Sequence, residues 1–322
     1  MWGLCRHGRA VRIGFWAIYK RRQREHGLRA KFAIPAANRP EWRKMTRKSE
    51  EQGSAAVAFT LATFLVIFTA VTVYLFLAKI WWFPPPITQF GTQIDDQFHR
   101  TLVITGVVFV LAQLGLALVI FRSRDHGQQV SFFEGNSTME FVWTLATIIM
   151  FVGLGLYGEH AWAEAHFQGA APGAIQVEVT GQQFTWNFRY AGPDGKFGAT
   201  RPELVSASTG NPLGVDPKDP ASKDDVVTPV MYAPVGHEVE LLIRTQDVTH
   251  SFYVRELRLK QDAVPGMVIH MHFDALDPGQ YEIVCAELCG LGHYKMRTFL
   301  NVVSQAEFDK WMSDQETALQ QQ

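Results

Sequence analysis

Three long apolar runs constrain this chain more than any other feature. Ala55 to Phe83 carries a single charge, Lys79, near its end, and Thr101 to Phe121 and Phe141 to Tyr157 carry none. Crossing a hydrocarbon core takes about 20 mainly apolar residues, roughly 17 to 25. All three runs meet that length, so the chain reads as a membrane protein with three transmembrane helices, the second and third at about 101–121 and 139–157. Residues 1–48 hold fourteen Lys or Arg against two acids, whereas from Glu159 onward twelve bases face twenty-two acids. Lys and Arg stay on the cytoplasmic side of membrane spans. The N-terminus is therefore expected inside, with Arg122 and Arg124 in a cytoplasmic loop and residues 159–322 outside. Trp81, Trp82, Trp143, Tyr157 and Trp162 lie near the span ends, where amphipathic rings favour the interface. Residues 1–54 read as a basic cytoplasmic tail, with Met45 offering an internal start. The run 55–83 reads as an extra transmembrane helix, since it is long for a signal sequence and lacks a small-x-small cleavage site.

The outer part reads as all-β. Ile175, Val177 and Val179 alternate before an aromatic stretch, as a half-buried strand requires. Strand-like segments follow through Leu241 and Ile243, Phe252 and Val254, "GMVIHMHFDA", "GQYEIVCAEL" and "MRTFLNVVS", with Pro-Gly pairs at 265–266 and 278–279. Short strands at such spacing indicate a sandwich or barrel. Residues 191–229, rich in Gly, Pro, Asp and Lys, read as a surface insertion. The last segment suits a short helix docking Phe308 and Trp311.

Chemistry concentrates in "CAELCGLGHYKM", residues 285–296, which holds two of the three cysteines. Three readings compete. A disulfide between Cys285 and Cys289 would close a very small loop and stabilise little, because the entropic gain grows with loop length. Zinc could take two cysteines and two histidines, but it has no use for Met296. Thiolates, a thioether and imidazole together favour copper. Two thiolates can bridge two copper ions, with His293, Met296 or a carbonyl completing them, and His250 in "QDVTHSF" supplies a second imidazole. Glu140 closes "STME", a capping box with Ser137 as N-cap. It is also an ionisable group at a membrane boundary, where function is the default expectation. His270 and His272 alternate on a strand and read as solvated surface histidines.

These residues carry a family resemblance. Cys285, Glu287, Cys289, His293 and Met296 form C-x-E-x-C-x3-H-x2-M. Asp247, Val248, His250 and Ser251 form D-V-x-H-S, followed by Lys260, Asp262, Ala263, Pro265 and Gly266, while "EFVWT" opens the third run. From about residue 95 onward the chain resembles subunit II of the haem–copper cytochrome c oxidases. The resemblance implies a cupredoxin-like Greek-key barrel carrying the binuclear CuA centre. Cys285 and Cys289 would bridge two copper ions, His250 and His293 would be terminal ligands, Met296 axial, and Glu287 would bind through its backbone carbonyl. The Glu287 side chain would hold magnesium or manganese at the boundary with subunit I. The implied function is uptake of electrons from a c-type cytochrome or small copper protein and their transfer to haem in subunit I. There oxygen becomes water with proton translocation, and Glu140 would stand at a proton channel mouth. Subunit III and the lipid of a bacterial inner membrane are further implied partners, with the copper domain periplasmic; nucleic acid is not one. In the family's aromatic strand this chain has "GQQFTW", so Phe184 stands where a tryptophan takes up electrons and Trp186 is kept. Arg189 and Gln246 stand where acids help dock cationic donors, giving an apolar patch around Phe184 and Trp186. No C-x-x-C-H occurs, so no fused c-type haem is expected. The rival enzyme reading is the CuA module of a nitric oxide or nitrous oxide reductase. The rival non-enzyme is a membrane-tethered copper-delivery protein.

Overall fold

The structure, a computed structural model, describes residues 55–80, 82–124 and 135–321, and the basic tail expected at 1–54 lies outside them. Three helices come first: α1 (Ala55–Leu77), α2 (Gln89–Arg122) and α3 (Ser137–Phe167). Each is long and apolar enough to cross a membrane. α2 and α3 exceed the apolar runs that announced them. At 1.5 Å per residue, the 34 residues of α2 span about 51 Å, against about 30 Å of hydrocarbon. The surplus projects beyond the membrane, because helical hydrogen bonding continues into water until a cap or proline stops it. Pro84, Pro85 and Pro86 separate α1 from α2, and Thr88 caps α2 by accepting from the Gly91 amide at 3.0 Å.

The cap of α3 corrects an expectation. Asn136, rather than Ser137, is the N-cap, and its side chain accepts from the Thr138 and Met139 amides at 3.0 and 3.2 Å. Asn in extended backbone satisfies these donors one residue earlier than the expected box. Glu140 is thus left exposed in the first turn, where its charge suits the helix dipole.

Ten strands follow: β1 (Ile175–Gln182), β2 (Thr185–Tyr190), β3 (Val226–Thr228), β4 (Met231–Pro234), β5 (Glu238–Thr245), β6 (His250–Val254), β7 (Leu259–Ala263), β8 (Ile269–Asp274), β9 (Gly279–Cys285) and β10 (Arg297–Val303). They form two five-stranded sheets, ordered β3-β2-β1-β5-β8 and β4-β10-β9-β6-β7. The sheets sandwich one apolar core that includes Val177, Val179, Phe188, Leu241, Ile243, Phe252 and Ile283. β5 alternates half-buried and buried residues from Glu238 to Thr245, the signature of a strand with one face in the core. A terminal helix, α4 (Gln305–Gln320), opens with a capping box of Ser304 and Glu307. It stacks Trp311 on Tyr232 at 4.4 Å and buries Phe308, as its apolar spacing requires.

The segment before α2 is built into the sandwich. The Ile87 amide donates to Glu256 O at 2.9 Å, and its carbonyl accepts from Leu276 at 2.8 Å. Ile87 and Phe90 join the core. Arg258 makes two bonds to Asp95, at 2.8 and 2.9 Å, and lies over the Phe83 ring at 4.7 Å. A two-pronged ion pair fixes direction as well as distance, so the sandwich is held in a set orientation on the outer end of α2.

Candidate metal centre

Strand pairing brings distant parts of the sequence together. β6 lies beside β9, with Phe252 opposite Cys285, and β10 lies on the other side of β9, with Arg297 opposite Val284. The 286–296 loop therefore begins and ends at one point, closed by the Cys285 amide donating to Met296 O at 3.1 Å. His250, at the start of β6, is carried to the same point.

Six donors converge there. Cys285 Sγ lies 3.8 Å from His250 Nδ1, 3.1 Å from Glu287 O and 3.9 Å from Cys289 Sγ. Cys289 Sγ lies 3.6 Å from His293 Nδ1 and 3.8 Å from Met296 Sδ. A disulfide requires about 2.05 Å, so the two sulfurs are not bonded. With metal–sulfur bonds of about 2.3 Å and metal–nitrogen bonds of about 2.0 Å, two donors on one tetrahedral ion stand roughly 3.5–3.8 Å apart. The sulfur–nitrogen and sulfur–sulfur separations, 3.6–3.9 Å, are close to that size. Six donors exceed the four of one tetrahedral ion, and each imidazole neighbours a different sulfur. Two ions sharing the two sulfurs would use them all.

The surroundings orient these donors. His250 is fully buried, and its Nε2 lies 2.9 Å from Asp247 Oδ1. An ionised carboxylate only accepts, so Nε2 carries the proton and Nδ1 presents its lone pair to the sulfurs, as carboxylate-oriented metal histidines do. Partial burial opposes ionisation of Asp247. The Gln183 amide, His250 and the Val248 amide outweigh it and hold the carboxyl below its usual range. Burial, then the neighbouring Cys285 sulfur, pushes the Cys289 thiol up to about 11. Without a cation the Cys289 sulfur thus keeps its proton near neutrality, and a soft cation must displace it.

Several supporting residues escaped the sequence reading. A side chain at Gly181 would come within 2.9 Å of the His250 ring. Gln183 donates through its side chain to Cys289 O at 2.6 Å. Gly290 and Gly292 leave room for the Phe184 ring, which would collide with a side chain at either position. "CGLGH" carried a signal for that close approach, but Gly181 and Gln183 lay more than 60 residues from their partners.

The structure places the other candidates differently. Phe184 is partly exposed at the rim, at 37%, over Gly290 and Gly292 of the ligand loop, in which Leu288, Leu291 and Tyr294 are exposed. Trp186 is only 1% exposed and packs edge-on against His250 at 5.9 Å, so it lies behind the site and not in a surface patch. Arg189 is likewise not on a docking face. It is fully buried, bonded to Asp225 and 3.6 Å from Glu178, because its guanidinium anchors the 191–225 insertion to β2. Gln246 is exposed and donates to Pro212 O at 3.1 Å. The Glu287 side chain is exposed. Glu140 stands apart from the centre, at the opposite end of α3 from the sandwich.

Residues 175–303 match the family described as cytochrome c oxidase subunit II, periplasmic domain. The alternative cytochrome c oxidase subunit 2 of Bradyrhizobium diazoefficiens is 34% identical over 264 residues, 81% of this chain and 93% of that protein. Cytochrome c oxidase subunit 2 of a Synechocystis species is 31% identical, covering 69% of this chain and 72% of its own. The same subunit from Thermostichus vulcanus is 31% identical, covering 71% and 76%.

Proposed function

This chain belongs to the cytochrome c oxidase subunit II family, and from that premise we propose that its outer domain receives electrons at the six-donor centre and passes them to haem in subunit I. The carrying observation is the convergence of His250, Cys285, Cys289, His293, Met296 and the Glu287 carbonyl. Copper is the family's cation, and the donors suit it: soft sulfur with imidazole selects copper over harder ions. Cys285, Cys289, His250, His293 and Met296 would hold it, with the Glu287 carbonyl oxygen as the sixth donor. Bound there, the metal pair supplies one-electron redox chemistry.

The protein's contribution is rigidity and dryness. Cys285, Cys289, Met296 and His250 are buried, and Trp186 closes the rear. Little water or side-chain movement is then needed when charge changes, which favours fast transfer. Phe184, resting on the ligand loop, is the exposed ring through which a c-type cytochrome or small copper protein would deliver electrons. The exposed Glu287 carboxylate would hold magnesium or manganese with subunit I, hard oxygen suiting either ion. In a bacterial inner membrane the sandwich would be periplasmic. Glu140 would lie at the cytoplasmic boundary, positioned for proton intake, with subunit III as a further neighbour. Oxygen reduction to water and proton translocation would occur in the assembled oxidase.

Stopped-flow mixing of the copper-loaded oxidase with reduced donor tests this reading. Phe184→Ala removes an anchor and should weaken productive docking by about 2 kcal/mol, roughly 30-fold in affinity. The rate should change little between low and moderate salt, since an apolar contact is not screened. An unaffected Phe184→Ala enzyme with a steep fall in rate on adding salt would place docking on acids elsewhere.

A further inference from the structure

β1 and β2 are joined by a turn of two residues, Gln183 and Phe184, which lies against the ligand loop. Phe184 rests over Gly290 and Gly292. Beside it, Gln183 makes two hydrogen bonds that run to different arms of the centre. Its side-chain Nε2 donates to Cys289 O at 2.6 Å. Its backbone amide donates to Asp247 Oδ2 at 2.8 Å, and Asp247 Oδ1 lies 2.9 Å from His250 Nε2. Gly290 leaves the space for both residues of the turn. A side chain there would come within 2.8 Å of Gln183 Nε2 and 3.0 Å of the Phe184 ring.

The strand ladders hold the ligand loop at its ends, through Cys285 on β9 and Arg297 on β10. Cys289 lies between those ends, and the Gln183 side chain holds its carbonyl from 106 residues away. One residue thus ties the loop to the His250 turn, and it stands next to the exposed ring. The bond also has an electrical consequence. It aims the positive end of an N–H dipole at the residue that carries one of the two sulfurs. A positive end there favours the electron-rich, reduced state of a metal held by that sulfur, and hydrogen bonds near such ligands tune potential and affinity.

We propose that Gln183 is a positioning residue of the copper centre, which joins the entry ring to the His250 and Cys289 arms. Its side chain sets how tightly the metal is held and the potential at which an electron is accepted. It acts through Cys289 and touches neither donor nor metal. The inference rests on the electron-entry function proposed above.

The test uses the full-length chain with two substitutions of similar length. Gln183→Met has no donor, and the carboxylate of Gln183→Glu only accepts. Both keep the backbone bond to Asp247. In competition with a chromophoric copper chelator, each should bind copper about 10–100-fold less tightly, as loss of an outer partner does. The reduction potential of the copper-loaded chain should fall in both, and further in Gln183→Glu, where a negative charge replaces the positive end of a dipole. In the copper-free chain, amide hydrogen exchange across 286–296 should quicken in both. Gln182, the preceding residue, pairs with Thr185 on β2, and Gln182→Met should match the unaltered chain in all three measurements. Copper affinity and potential that are unchanged in Gln183→Met overturn the proposal. A Gln182→Met chain that behaves like Gln183→Met overturns it equally, because the effect would then be a general loosening of the turn. An unaltered chain that takes up no copper would overturn the electron-entry function itself, whereas unchanged variants overturn this inference alone.

Discussion

Replacing Cys289 by serine should abolish the binuclear copper signal and leave at most one weakly held ion. The reason is its place in the donor set. Its sulfur alone touches Cys285, His293 and Met296, at 3.9, 3.6 and 3.8 Å. A hydroxyl keeps the shape but is a hard donor that rarely ionises. It cannot bridge two soft ions, and His293 and Met296 would lose their common neighbour. Met296→Leu provides the contrast. The thioether lies at the edge of the set, so both ions should stay and the reduction potential should shift, since axial ligands tune it. Metal analysis and electron paramagnetic resonance separate these outcomes. A normal binuclear spectrum in Cys289→Ser would mean that the bridge lies elsewhere.

The second large effect concerns stability. Asp225→Ala should destabilise the sandwich by about 3–5 kcal/mol, because it leaves the guanidinium of Arg189 buried without its main partner. Arg189 and Asp225 side chains are each only 1% exposed, so water cannot take over. Glu178, at 3.6 Å, is shared with Arg244 and gives partial relief. For a domain of this size the loss corresponds to roughly 6–20 °C in Tm. Replacing both partners by apolar residues, R189M/D225L, should cost far less, because no buried charge remains. Thermal unfolding followed by circular dichroism measures both. If Asp225→Ala and the double variant unfold at the same temperature, the pair is not the anchor of the insertion.

The same pair marks where sequence reading stopped. Arg189 is an ordinary arginine on a strand until Asp225, 36 residues away, is folded against it, and the linear string cannot show that burial. The spans were legible because a charge-free run of hydrocarbon length has few other uses. Their true ends were not, since Thr88 and Asn136 cap through side-chain oxygens, a role that several nearby residues could have filled. Ile87 looks like part of a linker, yet it bonds to Glu256 and Leu276, about 170 and 190 residues on. The converging donors were the most legible part. Four side-chain donors and the Glu287 carbonyl lie within twelve residues, and the missing imidazole sits in a recognisable turn. Trp186 was legible as an aromatic near the site but not as its buried rear wall. Strand alternation places His270 and His272 on one face. It does not reveal that each is bound to a carboxylate of the next strand.

The most direct test of the central claim is metal quantification of the intact chain after copper loading, read together with its paramagnetic spectrum. Six converging donors with two shared sulfurs require two copper ions per chain and one unpaired electron divided equally between two nuclei. One copper per chain, with hyperfine structure from a single nucleus, would contradict the account and reduce the centre to a mononuclear site.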